Sequence, residues 1–185
     1  MIPDDVYVHK TVEGDVEAFN ELVNRHQPKI YGLAFRMLGN AEDAKDATQE
    51  TFLEAYKSIK SFRFQSQFGT WLYRVGLNTC NQFIRKAKSR NRMIEAYTEE
   101  SSARGLTVEH NVPERKALKT EQSQVVQAAI DRLPPKQREV VTLFYMQHLK
   151  YKEIAEILDC SIGTVASRLN KATQNLKAKL EKYYY

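Results

Sequence analysis

The stretch YKEIAEILDCSIGTVASRLNKATQNLKAKL, Tyr151 to Leu180, reads as two helices joined by a tight turn. Ile154, Leu158, Val165 and Leu169 recur at the spacing that builds one small shared core. Ala155 is small enough to let the second helix approach. The first helix must end near Leu158, because Asp159-Cys160-Ser161 follows. Ser161 is an N-cap type, whose hydroxyl can accept a bond from the first free backbone N–H groups of the next helix. Cys160 falls at the turn position that points inward, so it is expected to be buried. Such a helix-turn-helix places the N-terminal side chains of its second helix in a DNA major groove. Here those are Ser161, Ile162, Thr164, Ser167, Arg168 and Lys171, and Arg168 is suited to a guanine edge or a phosphate. Gly163 keeps that helix end slim for approach to a sugar-phosphate backbone. From Ser161 to Lys182 the helix carries five cations against Glu181 alone, a charge pattern suited to a phosphate backbone. An ordinary helical hairpin with a solvated basic face is the plainer reading, and the agreement of spacing, cap and charge argues against it.

Helical periodicity also runs through the N-terminal half. Phe19, Leu22, Val23, Ile30, Leu33, Ala34, Met37 and Leu38 step by three and four, with Pro28 as an expected kink or break. Gly39-Asn40 stops this helix, and Asn40 can cap the next, with Asp43 in its first turn. Ala44, Ala47, Thr51, Phe52, Ala55 and Ile59 follow. A further helix is expected from about Gly69 to Arg90. Periodicity fails between Ser89 and Pro113, where Met93 to Glu114 holds five glutamates against Arg104, so this stretch is expected to be an acidic linker. Helical signals return near Lys116, with a stop at Pro134-Pro135. The expectation is an all-α protein of two helical domains, 1–90 and 119–185, joined by a flexible linker over 91–118.

Composition narrows the function classes. A formal net charge of +5 suits a polyanionic partner without proving one. Cys80 and Cys160 are far apart and no His/Cys cluster has metal spacing, so reduced thiols and no cofactor are expected. His9, His26, His110 and His148 are scattered, and no nucleophile–base arrangement or phosphate-binding glycine loop is present, so an enzyme is not expected. With no apolar run of membrane length and no leader-like N-terminus, the expected compartment is the cytoplasm, without membrane insertion.

In Ser61 to Arg90, aromatics and cations interleave: Phe62, Phe64, Phe68, Trp71, Tyr73 and Phe83 beside Arg63, Arg74, Arg85, Lys86, Lys88 and Arg90. This mixture suits single-stranded nucleic acid, with cations along the backbone and pockets for unstacked bases. At helical spacing Trp71 and Val75 read as core, whereas Arg85, Lys88 and the polar loop Arg63 to Gln67 favour nucleic-acid contact.

Two blocks carry a family resemblance. DAKDATQETFLEAYKSIKSF, Asp43 to Phe62, followed by FGTWLYRVGLN, Phe68 to Asn78, resembles region 2 of the extracytoplasmic-function (group IV) sigma factors of the sigma-70 family. LPPKQREVVTLFY, Leu133 to Tyr145, and GTVASRL, Gly163 to Leu169, resemble region 4 of the same family. The resemblance implies that Asp43, Asp46, Gln49, Glu50 and Phe52 bind the β′ clamp helices of core RNA polymerase. It implies that Arg63, Phe64, Gln65, Ser66 and Phe68 frame a pocket for a flipped base of the promoter −10 element, read further by Asn78, Asn81, Arg85 and Lys88. It assigns the −35 element to Ser161, Thr164, Ser167, Arg168 and Lys171, a β-flap contact to the C-terminal hairpin, the RNA exit channel to the acidic linker, and control to an anti-sigma factor. Where Ala166 and Thr173 stand, the family often carries basic residues. No role is assigned to Tyr183-Tyr184-Tyr185. The alternatives are a dimeric helix-turn-helix regulator binding palindromic duplex DNA alone, and a pure adaptor with no nucleic-acid contact.

Overall fold

The computed structural model describes residues 2–102 and 121–184; residues 103–120, which include most of the expected linker, lie outside the described residues. Eight α-helices follow in order among the described residues: α1 Asp4–Val12, α2 Val16–Leu38, α3 Ala41–Ser58, α4 Phe68–Ser102, α5 Glu121–Asp131, α6 Pro135–Val141, α7 Tyr151–Leu158 and α8 Ile162–Tyr184. No strand occurs among these residues, as the helical periodicity predicts.

The first unit is built on α2, α3 and α4. Asp15 caps α2 by accepting from the Ala18 N–H at 3.1 Å. Gly39 ends that helix at φ 79°, a left-handed conformation that costs glycine nothing, with its N–H returned to the Phe35 carbonyl. Asn40 then caps α3 through the Asp43 N–H at 2.8 Å, as its residue type indicates. The buried side chains Leu22, Ile30, Leu33, Ala34, Ala44, Ala47, Phe68 and Leu72 fill the space between these helices. Gly76 sets how closely α4 lies on its neighbours. A Cβ there would meet Leu33 Cδ2 at 3.3 Å and Thr51 Cγ2 at 3.5 Å, so a larger residue would push the helices apart.

Two expectations for this unit need correction, and one helix was not expected. Pro28 does not break the helix: α2 is continuous from Val16 to Leu38, because packing on both sides of Pro28 outweighs one missing backbone bond. The N-terminal residues, for which no element was expected, form α1, whose buried residues are few, Val8 and Thr11. Charge holds it instead. Arg25 donates to the Ile2 carbonyl at 2.7 Å and to Asp4 Oδ1 at 3.0 Å, and His26 Nε2 lies 2.7 Å from Asp4 Oδ2. Finally, α4 runs to Ser102, well past Arg90. The stretch Arg92-Met93-Ile94-Glu95-Ala96 is made of competent helix residues, and no glycine or proline interrupts it before Gly105. Loss of apolar period there does not mark loss of helix.

The second unit packs α6, α7 and α8 around Val140, Val141, Leu143, Ile154, Ile157, Val165, Leu169 and Ala172. Pro135 opens α6 at the position where a missing N–H is harmless. After Val141 the chain widens into a π-type turn, Thr142–Met146. Lys150 N–H donates to Glu153 Oε2 at 2.7 Å, fixing the start of α7. The two units share one contiguous apolar cluster and touch directly, α7 against α4 and the Thr142–Met146 turn against α2.

Candidate nucleic-acid and polymerase interfaces

The acidic face of α3 is the simplest of the candidate surfaces. Asp43, Asp46 and Gln49 are exposed and Glu50 is half-buried. Asp43 Oδ2 also accepts from the Asn40 amide at 2.6 Å, which holds it at the helix start. Phe52 departs from the expected set. It is only 7% exposed and its ring meets Phe19 edge-on with centroids 6.5 Å apart. Phe52 therefore forms part of the floor of this surface. What the sequence reading missed is apolar: Leu53, 54% exposed, and Tyr56 rim a groove of about 510 Å³ with Val16, Val23 and Gln27. They follow Gln49 at i+4 and i+7, and that spacing is the signal that puts them on one face with it.

The second surface is the loop after α3 and the outer face of α4. Phe62 is buried, and its ring packs against Phe64, Phe68 and Trp71 at centroid distances of 4.8, 6.0 and 5.4 Å. Phe64 has φ 55°, a conformation unusual for an aromatic residue and costly in energy, which the surroundings must hold. His9 of α1 does so: its ring stacks on Phe64 at 4.4 Å with an interplanar angle of 13°. Arg63 and Gln65 are exposed and Ser66 is half-buried. Gln65 and Ser66 line a cleft of about 660 Å³ whose other walls come from Asp4, His26, Tyr73 and α7. Phe68 is a second correction. At 1% exposure it belongs to the core, closing the floor of the loop. Trp71 and Val75, read as core, are half-buried.

Asn78, Arg85 and Lys88 are exposed on α4 and share a second cleft, of about 710 Å³, with Asn81. Asn81 is already engaged: its amide donates to Glu139 Oε1 at 3.0 Å. Tyr73, two turns earlier on α4, donates to Gln147 Oε1 at 3.0 Å. Burial, with a smaller push from the Glu153 charge, raises the Tyr73 hydroxyl to about 12, so it stays a donor throughout the physiological range.

The third surface is the start of α8. Thr164 N–H donates to Ser161 Oγ at 3.1 Å, the expected cap, and the Ser161 and Thr164 hydroxyls lie 2.9 Å apart. Ser167 and Lys171 are exposed, while Thr164 and Arg168 are half-buried. Asp159 at φ 49° turns the chain between α7 and α8. Cys160 is half-buried, not buried as expected, because the Arg168 guanidinium covers it only in part, with Nη1 3.8 Å from Sγ. A Cβ on Gly163 would meet nothing closer than Ser161 Oγ at 3.8 Å, so the fold itself does not demand glycine there.

Among the described residues no group of His, Cys, Asp and Glu is arranged to hold a metal, and no helix is long and apolar enough to cross a membrane.

Comparison with known proteins identifies the family. The family model described as Sigma-70 region 2 matches residues 22–90, and that described as Sigma-70, region 4 matches residues 123–176. The chain is 37% identical to an ECF RNA polymerase sigma-E factor of Haemophilus influenzae, over 98% of this chain and 97% of the relative. It is 36% identical to the ECF RNA polymerase sigma factor SigW of Bacillus subtilis, over 94% of each. Among solved structures, that of CnrH in complex with the cytosolic domain of CnrY shares the fold, with a TM-score of 0.69 at 23% identity and 97% of both chains covered. The chain belongs to the extracytoplasmic-function family of RNA polymerase sigma factors. Members of this class are DNA-binding initiation factors, generally without enzymatic activity.

Proposed function

We propose that the chain joins core RNA polymerase through α3 and places two DNA-reading faces on one promoter. The observation that carries this reading is the separation of charge between exposed faces. A carboxylate–amide row, Asp43, Asp46 and Gln49, stands on α3, and a basic face with Arg168 and Lys171 opens α8. The first suits arginine-bearing helices of a protein partner, the second a phosphate backbone. In this reading α8 enters the major groove of the −35 element with Thr164, Ser167, Arg168 and Lys171, and Ser161 caps its end. The loop Arg63 to Ser66, with Asn78, Asn81, Arg85 and Lys88, holds unstacked bases of the −10 element. Opening then needs no covalent chemistry, since binding of extruded bases offsets unstacking of about a few kcal/mol per base. The unit up to the end of α4 serves polymerase and −10 binding, the unit from α5 onward serves −35 binding, and the protein works in the cytoplasm under an anti-sigma factor.

The test is co-elution of the purified chain with sigma-free core polymerase. Stoichiometric co-elution is expected, reduced at least about tenfold in affinity for Asp46→Lys, which reverses one exposed charge of the row without touching the core. Equal binding by Asp46→Lys removes α3 from the interface. Failure of the wild-type chain to co-elute, with duplex binding on its own, favours the dimeric regulator.

A further inference from the structure

The core of the second unit fixes which way α8 faces. Val165, Leu169 and Ala172 are buried. At about 100° per residue, the opposite side of the helix carries Gly163, Ser167, Asn170, Lys171 and Gln174. All of these are exposed. Arg168 lies off this line: it is half-buried, with its guanidinium laid back over Cys160. Asn170, which the sequence reading missed, therefore stands nearer the centre of the outward face than Arg168 does. Its amide is also held, since Gln174 Nε2 donates to Asn170 Oδ1 at 3.2 Å.

We infer that Asn170 is a specificity-determining residue of α8 and reads one adenine of the upstream promoter element. The inference rests on the assignment of α8 to the −35 element given above. A carboxamide offers one acceptor and one donor side by side, the complement of adenine N6–H and N7 in the major groove. Guanine presents two acceptors there and satisfies only the donor. The neighbours on this face discriminate less: the Ser167 hydroxyl suits either pattern, and Lys171 is a point charge suited to phosphate. An asparagine side chain is short, so the helix must come close to the bases. The residues before it on or beside this face, Gly163, Ala166 and Ser167, are all small. Packing does not require glycine at 163, since a Cβ there would find its nearest neighbour, Ser161 Oγ, at 3.8 Å. Glycine is also a weak helix residue. Close approach of an outside surface supplies the reason that the fold does not.

The experiment selects duplexes from a library randomised over the upstream element, using the full chain assembled with core polymerase, and repeats the selection with Asn170→Ala. Asn170 is exposed and alanine is the better helix former, so the variant keeps its fold. The wild type is expected to prefer adenine at one position by about fivefold or more, the discrimination of one bidentate contact. Asn170→Ala is expected to lose that preference and keep the others. Placing 7-deazaadenine at the same position of a selected duplex replaces the N7 acceptor by carbon. It should weaken binding by the wild type by about fivefold or more and leave binding by Asn170→Ala unchanged. A selected element without adenine overturns the inference. So does an adenine preference that survives Asn170→Ala, or a loss with 7-deazaadenine that is equal in both proteins; each leaves α8 in the groove. If the wild type selects no upstream sequence, or if Arg168→Ala with Lys171→Ala leaves the selection unchanged, the −35 assignment fails, and the role of Asn170 fails with it.

Discussion

The two faces proposed to read DNA differ in how the protein presents them. At the start of α8, Ser167 and Lys171 project into solvent, and the polar groups around them are satisfied locally by the Ser161 cap. On α4, Asn81 is spent on Glu139, and the clefts beside it are walled by the other unit. Equal chemistry on a helix therefore does not mean equal availability. The α8 face is local: cap, turn and reading residues lie within a few turns of one another. The α4 face is composite. Its loop depends on α1 through the His9–Phe64 stack, and its outer side depends on where α6 and α7 rest.

The largest effect that would break this comparison is a core substitution. Leu72 is fully buried under the α4 face. Leu72→Ala should cost about 2–5 kcal/mol, lost transfer energy plus a cavity, measured by denaturant unfolding. If the α4 face is composite, the Phe62 to Gln67 loop should lose amide-exchange protection with it, while α7 and α8 keep theirs. Equal loss in both units would show that the shared apolar cluster makes them one cooperative body.

A smaller effect is expected at α8. Arg168→Ala should weaken binding to −35 duplex by about 1–3 kcal/mol, the range for an arginine that contacts a base edge. It should leave binding of single-stranded DNA by the α4 face unchanged, because Arg168 stands on α8. Weakened single-strand binding with no change in duplex affinity would reverse the roles assigned to the two faces.

The smallest effect concerns α1. Burial raises the Asp4 carboxyl, but the hydrogen bonds and charges of His26 and Arg25 outweigh it and hold the group below its ordinary value of 3.8. A depressed carboxylate adds stability above its unfolded value and loses it as pH falls through the lower folded value. Asp4→Asn should therefore cost about 1 kcal/mol or less near neutrality, as for partly solvated pairs, and nothing once the pH lies well below the depressed folded value. Denaturant midpoints of the two proteins that fail to converge in acid would mean that Asp4 anchors α1 by shape and not by charge.

What the sequence determined by itself was whatever depends on neighbours a few residues apart. The caps Asn40 and Ser161, the stop at Gly39, the helix-turn-helix and the exposed row on α3 all follow from i to i+4 relations, and each stands where residue type and spacing put it. The continuation of α4 beyond Arg90 was hidden because apolar period reports packing, and this segment has no expected packing face, although its residues favour helix. Phe52 and Phe68 were assigned to binding surfaces because their motifs carry them. Their rings turn inward, a choice made by the volume left between α2, α3 and α4. The Arg25–His26–Asp4 anchor, the His9–Phe64 stack and the Asn81–Glu139 bond join residues between 21 and 58 positions apart. Such pairs leave no periodic trace in a sequence. Only tertiary packing brings them within bonding distance, and it alone decides which donors remain free for DNA.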